Sequence, residues 1–166
     1  MQEAMFGRSV VLMCHHGEDG SFGLILNKPA ANPFEEDGEH PLSGFPFFAG
    51  GPVDTDNMFF IHNLTYLPEA VLLKDGICWQ GSYEALLDAI NENAFRSDNG
   101  RLVVGYTGWG EGQLEEELAN ESWMVYNGPI DQILEMETDQ IWKFILQQMG
   151  PYYKMVSNFP TDPSLN

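Results

Sequence analysis

Cys14, His15 and His16 stand together in the run VVLMCHH, and a thiol beside an imidazole is the pairing that makes a nucleophile. The imidazole takes the thiol proton, and the thiolate is the reactive species. On a regular strand, residues two apart share a face, so Cys14 and His16 are expected to point together and His15 away. Zinc binding is the other chemistry these residue types allow, but a tetrahedral site needs further ligands. Outside the carboxylates only His40, His62 and Cys78 remain, and no Cys-x-x-Cys or His-x-x-x-His spacing gathers them. Buried, reduced thiols at Cys14 and Cys78 and a strand-end histidine are the simpler account. His62, the polar position in FFIHN, reads as a satisfied or solvent-facing imidazole. No metal, no cofactor and no catalytic residue is assigned.

The stretch GYTGWGEGQLEEEL (105–118) has the order strand, glycine-rich turn, helix, which is the layout of phosphate-binding loops. Its glycines fall as GxxGxGxG, which fits neither the dinucleotide nor the P-loop fingerprint. Glu111, Glu115, Glu116 and Glu117 crowd the helix start, where they would satisfy the dipole themselves and repel a phosphate. The stretch therefore reads mainly as a turn built for the fold. Gln113 sits near the cap, and Leu114 and Leu118 face the core at i, i+4 spacing. Glu115, Glu116 and Glu117 point in successive directions around a helix, so they do not converge as a catalytic carboxylate pair would. Trp109, set between glycines, is an aromatic on a sharply shaped loop, a common form of contact surface. The candidate partner- or ligand-binding residues are Trp109, Gln113 and Glu117, with Asn27 and Gly51 as neighbours.

The elements that must hold these residues follow from pattern. RSVVLMCHH (8–16) and SFGLILNKP (21–29, ended by Pro29) read as strands joined by the turn GEDGS, an antiparallel hairpin. Residues 30–46 carry prolines, acids and glycines without period and read as a long surface loop. FFAGGPV must turn sharply at Gly50-Gly51-Pro52. NMFFIHNL (57–64) is a strand, and 70–81 holds two short strands joined at Asp75-Gly76, a strong hairpin dipeptide. Ser82 caps a helix whose Tyr83, Leu86, Leu87 and Ile90 recur at helical spacing and which frays near Phe95. SDNG (97–100) is a turn and RLVVGY (101–106) a strand. WMVYNGP (123–129) is read as a further strand. The last helix is expected from Thr138 as N-cap to Met149, with Ile141, Trp142, Ile145, Leu146 and Met149 on its apolar face. Gly150 and Pro151 are expected to stop it. Residues 1–157 make one domain, and 158–166 are expected to fray. Strands early, helices late and hairpin connections predict an α+β fold: a mostly antiparallel sheet, partly folded on itself, with a few flanking helices.

Charge narrows the function. Seven Lys and Arg face twenty-five Asp and Glu, a net charge of −18. Nucleic-acid binders draw most of their affinity from neutralised phosphates, so direct DNA binding is disfavoured, as is an anionic membrane surface. A basic protein partner fits the field. A length of 166 residues and a 43% apolar composition suffice for a core without disulfides or metal. No leader pattern and no membrane-length apolar run is visible, which predicts a reducing cytoplasm.

Five stretches together resemble the YqgE/AlgH family of small bacterial proteins: FGRSVVLMCHH (6–16), GSFGLILNKP (20–29), GGPV (50–53), GYTGWGEGQLEEEL (105–118) and the nearby Trp123. They occur in the family's order, and the GYxGWxxGQLxxEL and GGPV elements are the specific ones. The resemblance implies a single α+β domain with a folded-over antiparallel sheet. It carries a label, transcriptional regulator, drawn from a genetic link to alginate control in one member, and no catalytic residues. Family members usually begin with an extra apolar strand ahead of the residue matching Phe6. This chain starts at MQEAMF, so an open sheet edge, with dimerisation or aggregation as its consequence, is expected if that strand is absent.

The leading functional reading is a non-enzymatic, cytoplasmic regulatory or protein-interaction module, monomeric or weakly dimeric. The alternative is a small-molecule binder or enzyme using the glycine-rich turns and Cys14/His16.

Overall fold

One long strand organises the molecule. The computed structural model describes residues 5–161. Its strands are β1 (Val11–Gly17), β2 (Gly20–Ile25), β3 (Pro29–Ala30), β4 (Phe47–Ala49), β5 (Val53–His62), β6 (Val71–Lys74), β7 (Ile77–Trp79) and β8 (Gly100–Trp109). The order across the sheet is β1-β2-β8-β5-β7-β6, and the β3–β4 pair joins it through β4 against β8. Every pairing is antiparallel except β4 against β8. The sheet curls until it nearly closes into a barrel, and helices α1 (Tyr83–Asn91), α2 (Gln113–Ala119), α3 (Thr138–Gln148) and α4 (Pro151–Val156) complete the expected single α+β domain.

Side-chain alternation splits the core in two. Leu24, Leu26, Phe48, Ile61, Ile77 and Val103 point into the barrel and meet Ile133, Leu134, Ile141 and Ile145. Phe47, Phe60 and Leu102 point the other way, onto Leu86 and Ala89 of α1, Phe95 and Leu42. Burying each large side chain in these layers contributes about 1.5–3 kcal/mol. Arg101 is only 4% exposed. Its guanidinium donates to the carbonyls of Leu26, Ile133 and Met136 and lies 4.8 Å from the Phe48 ring centroid. It thereby fastens the 3-10 turn Ile133–Glu135 to the sheet.

Local signals placed several elements as expected. The β6–β7 hairpin turns at Asp75 and Gly76, both with positive φ (51° and 77°). Ser82 Oγ accepts from the Ala85 amide and caps α1. Ile141, Ile145 and Leu146 form the buried face of α3, with Trp142 and Met149 half-buried beside them. The loop 30–46 is held by Asn32, whose amide donates to the carbonyls of Leu42, Ser43 and Phe45.

Other expectations are corrected. Trp123–Pro129 forms no strand, because its carbonyls find a side chain in place of a neighbouring strand: Lys74 Nζ donates to those of Asn127 and Gly128. Glu137, not Thr138, is the N-cap of α3. Gly150 does end that helix, but Pro151 starts α4, since proline's fixed φ suits a first helical position. Tyr83 is exposed, not on the buried face of α1. The second strand stops at Ile25, and Pro29 belongs to β3. Of the expected tail, Phe159, Pro160 and Thr161 accept hydrogen bonds from the Arg8 guanidinium, while 162–166, like any chain ahead of Met5, lie outside the described residues.

Candidate functional site

The glycine-rich stretch is more strand than turn. β8 continues through Trp109, and only Gly110-Glu111-Gly112 turns before α2 begins. Gly112 is the N-cap in the left-handed region (φ 71°), without a side-chain cap. Gln113 compensates: its Oε1 accepts from the Gly110 amide at 3.0 Å. Leu114 is buried and Leu118 half-buried.

Glu117 stands at the centre of this corner. Its Oε2 accepts from the Trp109 indole at 2.8 Å and from the Trp123 indole at 2.7 Å, and its Oε1 accepts from the Gln113 amide at 3.0 Å. The two indoles meet edge to face at 5.7 Å, and Phe6 packs edge-on against Trp123 at 5.7 Å. Partial desolvation pushes the Glu117 carboxyl up, but the hydrogen bonds from Trp123, Trp109 and Gln113 together outweigh it and hold its pKa below the ordinary value. Three of the sequence candidates, Trp109, Gln113 and Glu117, are therefore brought together. Trp123, part of the family pattern and expected in a strand, completes the group.

Asn27 and Gly51 lie elsewhere in the frame. Asn27 clamps the chain entering β1, accepting from the Val10 amide and donating to the Arg8 carbonyl, both at 2.8 Å. Gly51 crosses β8, where an added Cβ would lie 2.2 Å from the Tyr106 carbonyl carbon.

Cys14 and His16 do not form a pair. β1 is bulged between Met13 and His15, which breaks the alternation. Cys14 packs against the barrel core, and its Sγ donates to the Leu12 carbonyl. His16 bonds Ser21 Oγ through Nδ1 at 2.6 Å and approaches Glu115 Oε1 at 3.5 Å through Nε2. Burial pushes the Cys14 thiol up to about 12, the reverse of activation. Burial also raises the Cys78 thiol. His62 is the satisfied kind: Nε2 donates to the Gln80 carbonyl and Nδ1 accepts from the Leu64 amide.

What sequence reasoning missed is a groove of about 590 Å³ at the open end of the barrel, bordered by Trp109 and lined by Phe22, Phe59, Trp79 and Tyr106, with His15 and Asp19 at its rim. Alternation explains it. Phe22, Phe59 and Trp79 lie two residues from Leu24, Ile61 and Ile77, so they continue the inward faces of their strands beyond the packed core. Tyr106 joins them because Gly105, at φ 71°, breaks the alternation of β8 after Val103. Gly108 faces Phe22 across β2 and β8 and contributes no side chain, which leaves the hollow open. The Phe22 ring meets Trp79 at 5.0 Å and 71° and Tyr106 at 6.1 Å and 75°, so two rings stand as walls on a third. His15 stacks toward Phe22, and its Nε2 bonds Asp19 Oδ1 at 3.0 Å. That hydrogen bond, with a backbone bond and the imidazole charge, holds Asp19 below the ordinary carboxylate range. The spacing GYTGW, an aromatic ring between two strand glycines, was the signal that could have pointed here.

Comparison with known proteins places the chain. The AlgH-like family model matches residues 1–154. A protein of Cytophaga hutchinsonii in the UPF0301 group is 38% identical over 99% of this chain and 92% of its own length. One from Parabacteroides distasonis is 36% identical over 100% of this chain and 86% of its own. The solution structure of AlgH from Pseudomonas aeruginosa superposes with a TM-score of 0.72 at 21% identity, covering 96% of this chain and 88% of that one. A crystal structure from Corynebacterium diphtheriae does so at 0.73 and 20% identity, covering 93% and 84%. These two share the fold. On the family model and the sequence relatives, this protein belongs to the AlgH-like family.

Proposed function

We propose that the protein is a non-enzymatic interaction module of the bacterial cytoplasm, acting in regulation by holding a protein partner at the barrel mouth. The observation that carries this reading is the groove itself: an aromatic-lined hollow of about 590 Å³, in the size range of binding sites and at a barrel mouth, where such sites gather. The Trp109–Gln113–Glu117 corner adjoins it, with Gln113 exposed. Burial raises the Cys14 thiol, the reverse of what an activated nucleophile needs. The net charge of −18 favours a basic partner and works against direct DNA binding. Among the described residues no helix is long and apolar enough to cross a membrane.

The test is site-specific photocrosslinking in cells from a benzophenone residue at Val53, an exposed position on the groove rim. A discrete protein adduct that disappears in the Tyr106→Ala background is expected. Absence of any adduct that depends on Tyr106 overturns the reading. The groove's size also suits a small-molecule ligand, the second reading. A metabolite at a hundred times its Kd would stabilise the protein by about 2.7 kcal/mol, readable as a thermal shift.

A further inference from the structure

The geometry points to a more specific occupant, resting on the interaction reading above: the groove takes an arginine side chain from an extended basic segment of the partner protein. The ring arrangement comes first. Trp79 and Tyr106 stand at 71° and 75° to Phe22, and Phe59 meets Tyr106 edge to face at 5.9 Å. Aromatic rings lining one hollow attract a cation through their quadrupoles, and a planar guanidinium stacks on such rings better than an ammonium does.

Charge comes second. At the rim the hydrogen bond from His15 holds the Asp19 carboxyl below its ordinary pKa, and among the described residues no Lys or Arg lines the groove. On the exposed strand segment that supplies Val53, Asp54 and Asp56 follow, both exposed. A cation entering the hollow therefore meets aromatic rings inside, the second oxygen of a carboxylate that His15 already bonds at the lip, and the field of a protein with net charge −18. The same field opposes an acidic segment. Size comes third. A hollow of about 590 Å³, open to solvent, exceeds one guanidinium and leaves room for the residues that flank it in a peptide. The lining runs from Asp19 and Phe22 of the β1–β2 hairpin, over Tyr106 and Gly108 of β8, to Val53 and Phe59 of β5, a breadth that the flanking residues of such a segment would cover.

The experiment is a ¹⁵N NMR titration of the whole protein with a short Gly/Ser peptide carrying a central arginine and a lysine beside it. Four tryptophan indole N–H signals serve as reporters. The Trp79 indole and the Phe22 and Tyr106 amides are expected to shift saturably, while the Trp142 indole on α3 stays in place. Replacing arginine by glutamate in the peptide should abolish the shifts. Asp19→Asn and Tyr106→Ala should each weaken binding by about tenfold, with an unshifted Trp142 signal reporting an intact fold. A peptide with phenylalanine in place of arginine binding as tightly would overturn the cation assignment and leave the interaction reading standing. Methylguanidinium matching the peptide in affinity would overturn the protein-segment assignment in favour of a small cation. Arginine-peptide shifts that map outside the groove, or no shifts at all, overturn the proposal, whereas the interaction reading fails only if the Val53 crosslink also vanishes.

Discussion

Gly51 lies flat against the backbone of Tyr106: a Cβ there would sit 2.2 Å from both the carbonyl carbon and the carbonyl oxygen of Tyr106. Gly105 completes the crossing, since its own Cβ would sit 2.6 Å from the Gly51 carbonyl oxygen. The neighbouring Gly50 donates to Val104 O and accepts from the Ile25 amide and from Thr107 Oγ1. GGPV and GYTGW are thus two halves of one joint, and the joint sets where the Tyr106 ring stands in the groove. Backbone atoms cannot swing aside as a side chain can. Gly51→Ala is expected to cost about 3 kcal/mol, a fall in Tm of roughly 6–12 °C for a domain of this size. Thermal melting checks it, and an unchanged Tm would mean that the two segments are not in contact.

Glu117 should behave as a structural acceptor. Glu117→Ala strands the indole N–H of Trp109, a residue only 7% exposed, and frees that of Trp123. The expected loss is about 1–3 kcal/mol by chemical denaturation, with both indole ¹⁵N–H signals displaced. Because the folded-state pKa of Glu117 is depressed, its contribution is complete above the ordinary value of 4.5 and is lost as pH falls through the lower folded value. The stability difference between wild type and variant should shrink in that acid range and be constant near neutrality.

Both thiols should be inert in the native state. Cys14 is pushed up to about 12 and Cys78 is 1% exposed with a raised pKa. Iodoacetamide at neutral pH is expected to modify neither until denaturant is added, as read by intact mass. Rapid native alkylation of Cys14 would revive the nucleophile reading.

His62 is fully buried, and desolvation lowers its pKa despite the hydrogen bonds with Gln80 and Leu64. The unfolded chain therefore takes up a proton more readily than the folded one. The stability from neutral His62 is full above pH 6.5 and declines as pH falls toward its lower folded value. Wild-type Tm should fall as pH is lowered from about 7 to about 5, and His62→Gln should flatten that slope. An equal slope in both proteins would assign the pH dependence to other groups.

Elements whose causes are local can be read directly from the residues. Asp75-Gly76 supplies the positive φ angles of a tight hairpin, Ser82 the hydroxyl that caps α1, and Ile141, Ile145 and Leu146 the apolar stripe of α3. The α+β class follows from their order, and the acidic charge from composition alone. Part of the Glu117 corner was legible for the same reason: Trp109, Gln113 and Glu117 lie within one strand-to-helix connection. Trp123 was misread as a strand residue, because apolar alternation does not reveal that Lys74 has taken the carbonyls downstream of it. The groove and the separation of Cys14 from His16 arise from contacts between distant parts of the chain. Phe22, Phe59, Trp79 and Tyr106 stand on different strands, and their convergence depends on register, on Gly105 and on the near-closure of the sheet. Cys14 follows Val10 and Leu12 onto the core face by ordinary alternation, and the extra residue in β1 then turns His15 toward Phe22 and sends His16 outward. A bulge reverses every facing beyond it, and its position is set by the partner strand, which no local pattern contains.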